Sequence, residues 1–188
     1  MYYRLGFAQK FAGSFLSPFY VDGNEIDERR FLTPAKVDVG LRLAVGCTSE
    51  CRIHDVNFAA SDLLVCKRRA AEILSAVCGE SIQLVPVKIR GIQTNDGDLF
   101  LIQLLEVVDC IDTELSQYTR WTTSDHRSDL AGKFRMMMKL TIDGSRACGH
   151  LLFRPAGWEI AIIAHEKVVV EIQENMLSGV RAEPVSLE

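Results

Sequence analysis

Asp62-Leu63-Leu64-Val65-Cys66-Lys67-Arg68-Arg69-Ala70-Ala71-Glu72-Ile73-Leu74-Ser75-Ala76-Val77-Cys78-Gly79 opens a run to Leu105 that decides the fold of this 188-residue chain. Leu63-Leu64-Val65 is a short apolar run of the kind a buried strand uses. From Lys67 to Cys78 the spacing of Ala70, Ile73, Leu74, Val77 and Cys78 places them on one helical face, and Gly79 stops the helix. Ile82 to Ile89 alternates in strand fashion. Asn95-Asp96-Gly97-Asp98 is a turn leading into a return strand from Leu99 to Leu105.

Towards the N-terminus, Tyr2 to Phe7 alternates as a first strand. The sequence from there to Leu32 carries Pro18, Gly23, Asn24 and a charged run at 25–30, and reads as loop. Val37, Val39, Leu41 and Leu43 recur at period two and predict a half-buried strand. Gly46 to Asn57 is irregular. Beyond the central run, 106–112 is a strand end, and Thr113 to Lys133 is a long hydrophilic segment of the sort that is either functional or mobile. Strands are expected at Phe134 to Ile142 and Gly149 to Phe153, with Asp143-Gly144 as the turn between them.

The C-terminal region is settled by an internal comparison. Leu63 to Val87 can be laid on Ile162 to Val185, with Glu72-Ile73 falling on Glu171-Ile172 and Pro86-Val87 on Pro184-Val185. The second copy then has its helix from about Glu166 to Met176, burying Val168, Val169, Ile172 and Met176. The whole reads as an α+β fold in a single domain spanning 1–188, mainly antiparallel sheet with a few helices and an internal strand–helix–strand duplication.

The charge of −4 argues against a chain whose task is to coat nucleic acid, since phosphate neutralisation needs a basic surface. It suits a basic protein partner better. No stretch of 18 uncharged apolar residues is present, so no membrane span is expected. Met1 to Tyr20 lacks the continuous apolar centre of a secretory signal. The expected location is therefore the cytoplasm, with the six cysteines reduced and largely in the core.

Motifs with chemistry in them are few. Cys47, Cys51 and His54, with Cys148 and His150 downstream, are ligand types that zinc uses, at loose spacing; buried thiols and a loop histidine explain them as well. Ser124-Asp125-His126 holds the residue types of a nucleophilic triad, but neighbours in sequence point apart and form no relay. His165-Glu166 lacks the second histidine of a helical zinc site and reads as a surface helix start. Lys67-Arg68-Arg69 puts three cations in the first turn of a helix, where the macrodipole favours anions. No phosphate loop or dinucleotide fingerprint occurs, and no cofactor is expected.

Tyr2-Tyr3-Arg4-Leu5, Leu63-Leu64-Val65 with its helix and Pro86-Val87, Val108-Asp109-Cys110-Ile111-Asp112, Gly149-His150-Leu151-Leu152-Phe153-Arg154 and the closing Glu183-Pro184-Val185 together resemble the immunity MXAN-type family of bacterial polymorphic toxin systems. The resemblance spans 61–188 as an immunity-type core and is weaker over 1–60, where it holds only at the opening. Its helices depart from the pattern in having Cys66 and Ala164 where a serine cap is expected. The resemblance supplies no catalytic residues. It implies a non-enzymatic inhibitor whose partner is a cognate protein toxin, encoded by a neighbouring gene, with no nucleic acid and no membrane involved and homo-oligomer formation left open. Protein interfaces favour aromatic and arginine anchors, so the expected toxin-binding residues are Arg120, Trp121, Asp125 and Arg127 in the hydrophilic segment. The alternative for that segment is a mobile loop with Trp121 folded into the core. Two other functional readings stand beside immunity. One is a small enzyme with a site assembled from His150, Arg154, Asp109 and His126; the other is a metal-binding structural module on Cys47, Cys51 and His54.

Overall fold

A computed structural model of the chain describes residues 1–8, 16–38, 40–47, 52–91 and 98–188. In the N-terminal part are strands β1 (Tyr2–Phe7), β2 (Leu16–Val21), β3 (Asn24–Ile26), β4 (Leu43–Cys47) and β5 (Val56–Ala59). The central run gives β6 (Leu63–Lys67), helix α1 (Arg68–Cys78), β7 (Ile82–Ile89) and β8 (Leu99–Leu104). Then come β9 (Val107–Val108), β10 (Gln117–Arg120), β11 (Phe134–Lys139), β12 (Thr141–Ile142) and the one-turn helix α2 (Gly144–Ala147). The chain closes with β13 (Leu152–Pro155), β14 (Ile162–His165), α3 (Glu166–Glu174), β15 (Val180–Pro184) and β16 (Ser186–Leu187).

Six strands close on themselves in the order β2-β4-β7-β8-β6-β5, with Leu16 of β2 meeting Ala59 of β5 to complete the ring and β3 hanging off β2. Alternation explains how β6 can be apolar at every position but its last. Leu63 and Val65 point into the barrel with Phe19, Val45, Val85 and Leu101, while Leu64 and Cys66 point outward into a second cluster holding both long helices. Burying side chains of this size stabilises by roughly 1.5–3 kcal/mol each. The second sheet, β15-β1-β14-β13-β9, closes that cluster from the far side with Leu5, Leu152, Ile162 and Ala164. Its other face buries Tyr2, Phe153 and Ile163 beneath α2, β12 and the C-terminal segment.

The internal comparison holds except at its C-terminal helix end, where α3 stops at Glu174 and Met176, expected to be buried, turns out of the helix at φ of +50° and is exposed. The two copies are built alike beyond strand–helix–strand. β6 and β7 both run antiparallel to β8, which lies between them. β14 and β15 both run antiparallel to β1, which lies between them in the same way. Each unit is a parallel pair of strands split by an antiparallel one, and their helices α1 and α3 pack together in one core. One of the three cations at the start of α1 finds its reason here. Arg69 donates to the backbone oxygen of Asn175 at 3.0 Å, so its charge serves the C-terminal end of α3, where the macrodipole is negative. In the absence of a serine cap, α1 begins without any side-chain cap. At α3, His165 takes that place, its Nδ1 accepting from the Lys167 amide.

Several sequence expectations are corrected. The loop expected before Leu32 contains the β2–β3 hairpin, turned at Asp22-Gly23 with φ of +48° and +85°. The strand expected over Val37 to Leu43 starts only at Leu43, and Val39 lies outside the described residues. Both backbone groups of Val37 are taken by the Gln83 amide, at 2.8 Å each, and the Asp38 side chain accepts from Gly40 N, turning the chain. The irregular stretch from Gly46 to Asn57 holds the end of β4 and the start of β5. Asp143-Gly144 is no simple turn, because the Asp143 carboxylate caps α2 by accepting from Ser145 N and Arg146 N. The hydrophilic segment contains β10, and the expected turn at Asn95-Asp96-Gly97 falls outside the described residues. Cys47 is disulfide-bonded rather than reduced, while Cys66, Cys78, Cys110 and Cys148 are free. No helix among the described residues is long and apolar enough to cross a membrane.

Candidate functional site

β10 and β11 form a two-stranded ribbon that joins neither large sheet. Its base is fixed where Ser116 and Thr141 exchange two hydrogen bonds, Ser116 Oγ donating to Thr141 O at 3.1 Å and accepting from Thr141 N at 3.0 Å. The register slips twice along it, leaving Met138 and Arg135 without a partner across the ribbon. Such bulges re-aim side chains and are common beside functional sites. Pairing continues past the strands, with Trp121 N donating to Lys133 O and Gly132 N to Trp121 O.

Of the four residues singled out in the sequence, the ribbon brings together Trp121 and Asp125, through Arg135, while Arg120 joins a separate stack. Arg120 lies over the rings of Phe134, at 4.4 Å, and Tyr118, at 5.1 Å, and donates to Gly132 O. Trp121 is flanked by His126, edge-on at 5.3 Å, and by the Arg135 guanidinium 4.8 Å from its ring. Arg135 also binds Asp125 at 2.9 Å. The Asp125 carboxylate accepts from the backbone and hydroxyl of Thr122, and these bonds, with Arg135 and His126 alongside, hold it below the usual carboxylate range. Arg127 stands apart, paired with Asp129 through two hydrogen bonds of 2.9 and 2.7 Å. Trp121 enters none of the three core clusters, so the expectation of a ring folded into the core is not met.

The ribbon residues that sequence reading missed are Arg135, which ties Trp121 to Asp125, and Met136 and Met138, which are 55% and 61% exposed. The 134–142 stretch was legible as strand, but the bulges that leave Arg135 and Met138 unpaired across the ribbon make no mark in the periodicity.

The residues of the enzyme reading have separate engagements. His150 Nδ1 meets Glu106 at 2.8 Å, and Ser81 Oγ donates to the other oxygen of the same carboxylate at 2.7 Å. With the carboxylate in the middle, His150 cannot take a proton from Ser81, which a nucleophilic relay requires. Arg154 is buried and donates to the backbone oxygens of Asp62 and Glu159, and its burial pushes the guanidinium down to about 10. Asp109 is exposed, and His126 belongs to the ribbon. For the metal reading, the described residues contain no group of three or more His, Cys, Asp or Glu that could hold an ion; Cys51 lies outside them.

Residues 48–186 match the immunity protein family Imm11. The chain belongs to that family. The match takes in the ribbon, both split strand–helix–strand units except β1, and the barrel from β5 onward. No curated protein matches the chain.

Proposed function

We propose that this Imm11 protein binds a cognate bacterial toxin in the cytoplasm and neutralises it by stoichiometric protein–protein contact, without catalysis. The observation that carries the proposal is the family match over residues 48–186. Protection demands a long-lived complex, hence a dissociation constant at or below about 1 nM, or roughly −12 kcal/mol. A contact of about 800 Å² per partner is the usual size for such a complex.

The contact surface is proposed at the ribbon, on Arg120, Trp121, Asp125 and Arg127. Two features support this. Arginine and tryptophan are the commonest interface anchors, and here Arg120 and Trp121 are already stacked in place, which lowers the ordering cost of binding.

The test is co-expression. The product of the gene beside this one is induced in a bacterium with and without the chain, and survivors are counted. Killing by the neighbour alone, with growth restored and the two proteins co-purifying, is the expected result. A neighbour that is harmless, or that kills regardless, overturns the reading.

A further inference from the structure

We infer that the toxin surface taken by the ribbon is acidic, with an apolar depression at its centre that receives Met136 and Met138. This inference rests on the immunity reading and names the chemistry of the partner.

Charge is distributed unevenly in the chain. Residues 117–139 hold five basic side chains against two carboxylates, whereas the whole chain holds 21 against 25, leaving 16 against 23 elsewhere. The ribbon is thus a cationic projection from an anionic body, and it suits an acidic partner where the net charge of the whole chain suggested a basic one. Its two carboxylates are already engaged inside it, Asp125 by Arg135 and Asp129 by Arg127. Arg120, Lys133 and Lys139 have no ion-pair partner among the described residues, so the surplus charge faces outward.

Apolar surface accompanies the charge. Met136 and Met138 are two of the most exposed large apolar side chains among the described residues. No residue of β10 or β11 is fully buried. A two-stranded ribbon with so little buried is marginal by itself in water, and it gains most from a partner that covers it. Methionine is unbranched and adapts to irregular cavities. Surplus cations and adaptable apolar side chains on one ribbon match an acidic protein surface with a shallow apolar centre. The two bulges break the regular edge that strand addition needs, so docking is by side chains. A nucleic acid or an anionic membrane offers negative charge too, but the anionic body beside the ribbon would be repelled by an extended phosphate surface.

The experiment uses the full chain and the toxin it protects against, measured by calorimetry. The wild type is compared with Met136→Asp/Met138→Asp, with Lys133→Glu/Lys139→Glu, and with the control Met176→Asp, whose methionine is 83% exposed on the loop after α3. Expected are a dissociation constant raised about tenfold or more by each ribbon pair, no change in the control, and wild-type binding that weakens as salt rises. Ribbon variants that bind within about twofold of a protective wild type overturn this inference and leave the immunity reading standing. A wild type that neither binds nor protects removes both. Saturable binding of the ribbon to duplex DNA, to phosphatidylserine vesicles or to a second copy of the chain, lost in the methionine variant while toxin binding persists, also overturns it.

Discussion

Ser178, in the loop after α3, donates to Asp55 Oδ2 twice, from Oγ at 2.6 Å and from its backbone nitrogen at 2.9 Å, and in return accepts from the Asp55 amide at 3.1 Å. The pair joins the loop between α3 and β15 to the residue preceding β5 and so fastens the second sheet to the barrel. Burial pushes the Asp55 carboxyl up, but the Ser178 bonds, with Lys67 and Arg69 nearby, bring it below the usual range. A carboxyl depressed in the folded state contributes stability that is present above its unfolded value, about 4, and is lost as pH falls through the folded value. Ser178→Ala should therefore cost about 1–2 kcal/mol at neutral pH. The gap between variant and wild type should narrow below about pH 4. Urea unfolding across that range checks both statements.

One residue further on, Gly179 has φ of +91°, and a Cβ there would fall 2.0 Å from Val56 O. The obstacle is backbone of β5, held by its bond from Val56 N to Ser178 O, and cannot swing aside. Gly179→Ala should cost more than about 2 kcal/mol, lowering the melting temperature by roughly 2–4 °C per kcal/mol. An unchanged melting temperature would show that the two sheets do not approach as closely as this.

At the barrel end, Gln83 and Gln103 are opposite one another on β7 and β8. Gln103, 1% exposed, donates to Thr33 O at 2.7 Å and Ala35 O at 3.1 Å, while Gln83 takes both backbone groups of Val37. These polar side chains face the barrel interior because the covering segment 33–37 has no strand partner for its backbone. Gln103→Leu keeps the volume but leaves two carbonyls unpaired, and should cost about 1–3 kcal/mol. A lower urea midpoint at unchanged slope would identify the loss as one of stability rather than of compactness.

The four free thiols among the described residues should separate by exposure. Burial pushes Cys78 up to about 12 and Cys110 up to about 11, and raises Cys66 as well, while Cys148 is exposed. Since the thiolate is the reactive form, a disulfide reagent at pH 8 should label Cys148 quickly and the other three only on unfolding. Fast labelling of Cys66 in the native protein would mean that the core around α1 opens readily.

What was legible in the sequence is what local pattern dictates. Leu63 to Leu104 could be read because an apolar run, a one-sided helix, a stopping glycine and an alternating strand follow one another without interruption. The α3 unit could be read only by comparison, since Val168-Val169-Val170 suits strand as well as helix. The β2–β3 hairpin was hidden by Pro18 and the charged run at 25–30, although Asp22-Gly23 is a strong hairpin signal. Barrel closure left no trace, because it rests on Leu16 meeting Ala59, a contact between residues 43 positions apart. At the ribbon, Trp121 and Asp125 are close enough in sequence to be grouped. Arg135, which completes their network, becomes a neighbour only once β11 folds back.

Arg120 and Trp121 therefore carry the sharpest test of the proposed contact. Arg120 covers Phe134 and Tyr118, and the Phe134 ring in turn lies within 3.2 Å of where a Cβ on Gly157 would stand, so the ribbon leans on the turn between β13 and β14. Replacing Arg120 and Trp121 with alanine removes two stacked anchors without emptying any core cluster. The fold should survive, as judged by an unchanged far-ultraviolet spectrum and urea midpoint. Affinity for the toxin should fall about tenfold or more, or at least about 1.4 kcal/mol. Calorimetry showing unchanged binding would remove the ribbon as the contact surface, because anchors that contribute no affinity lie outside the interface.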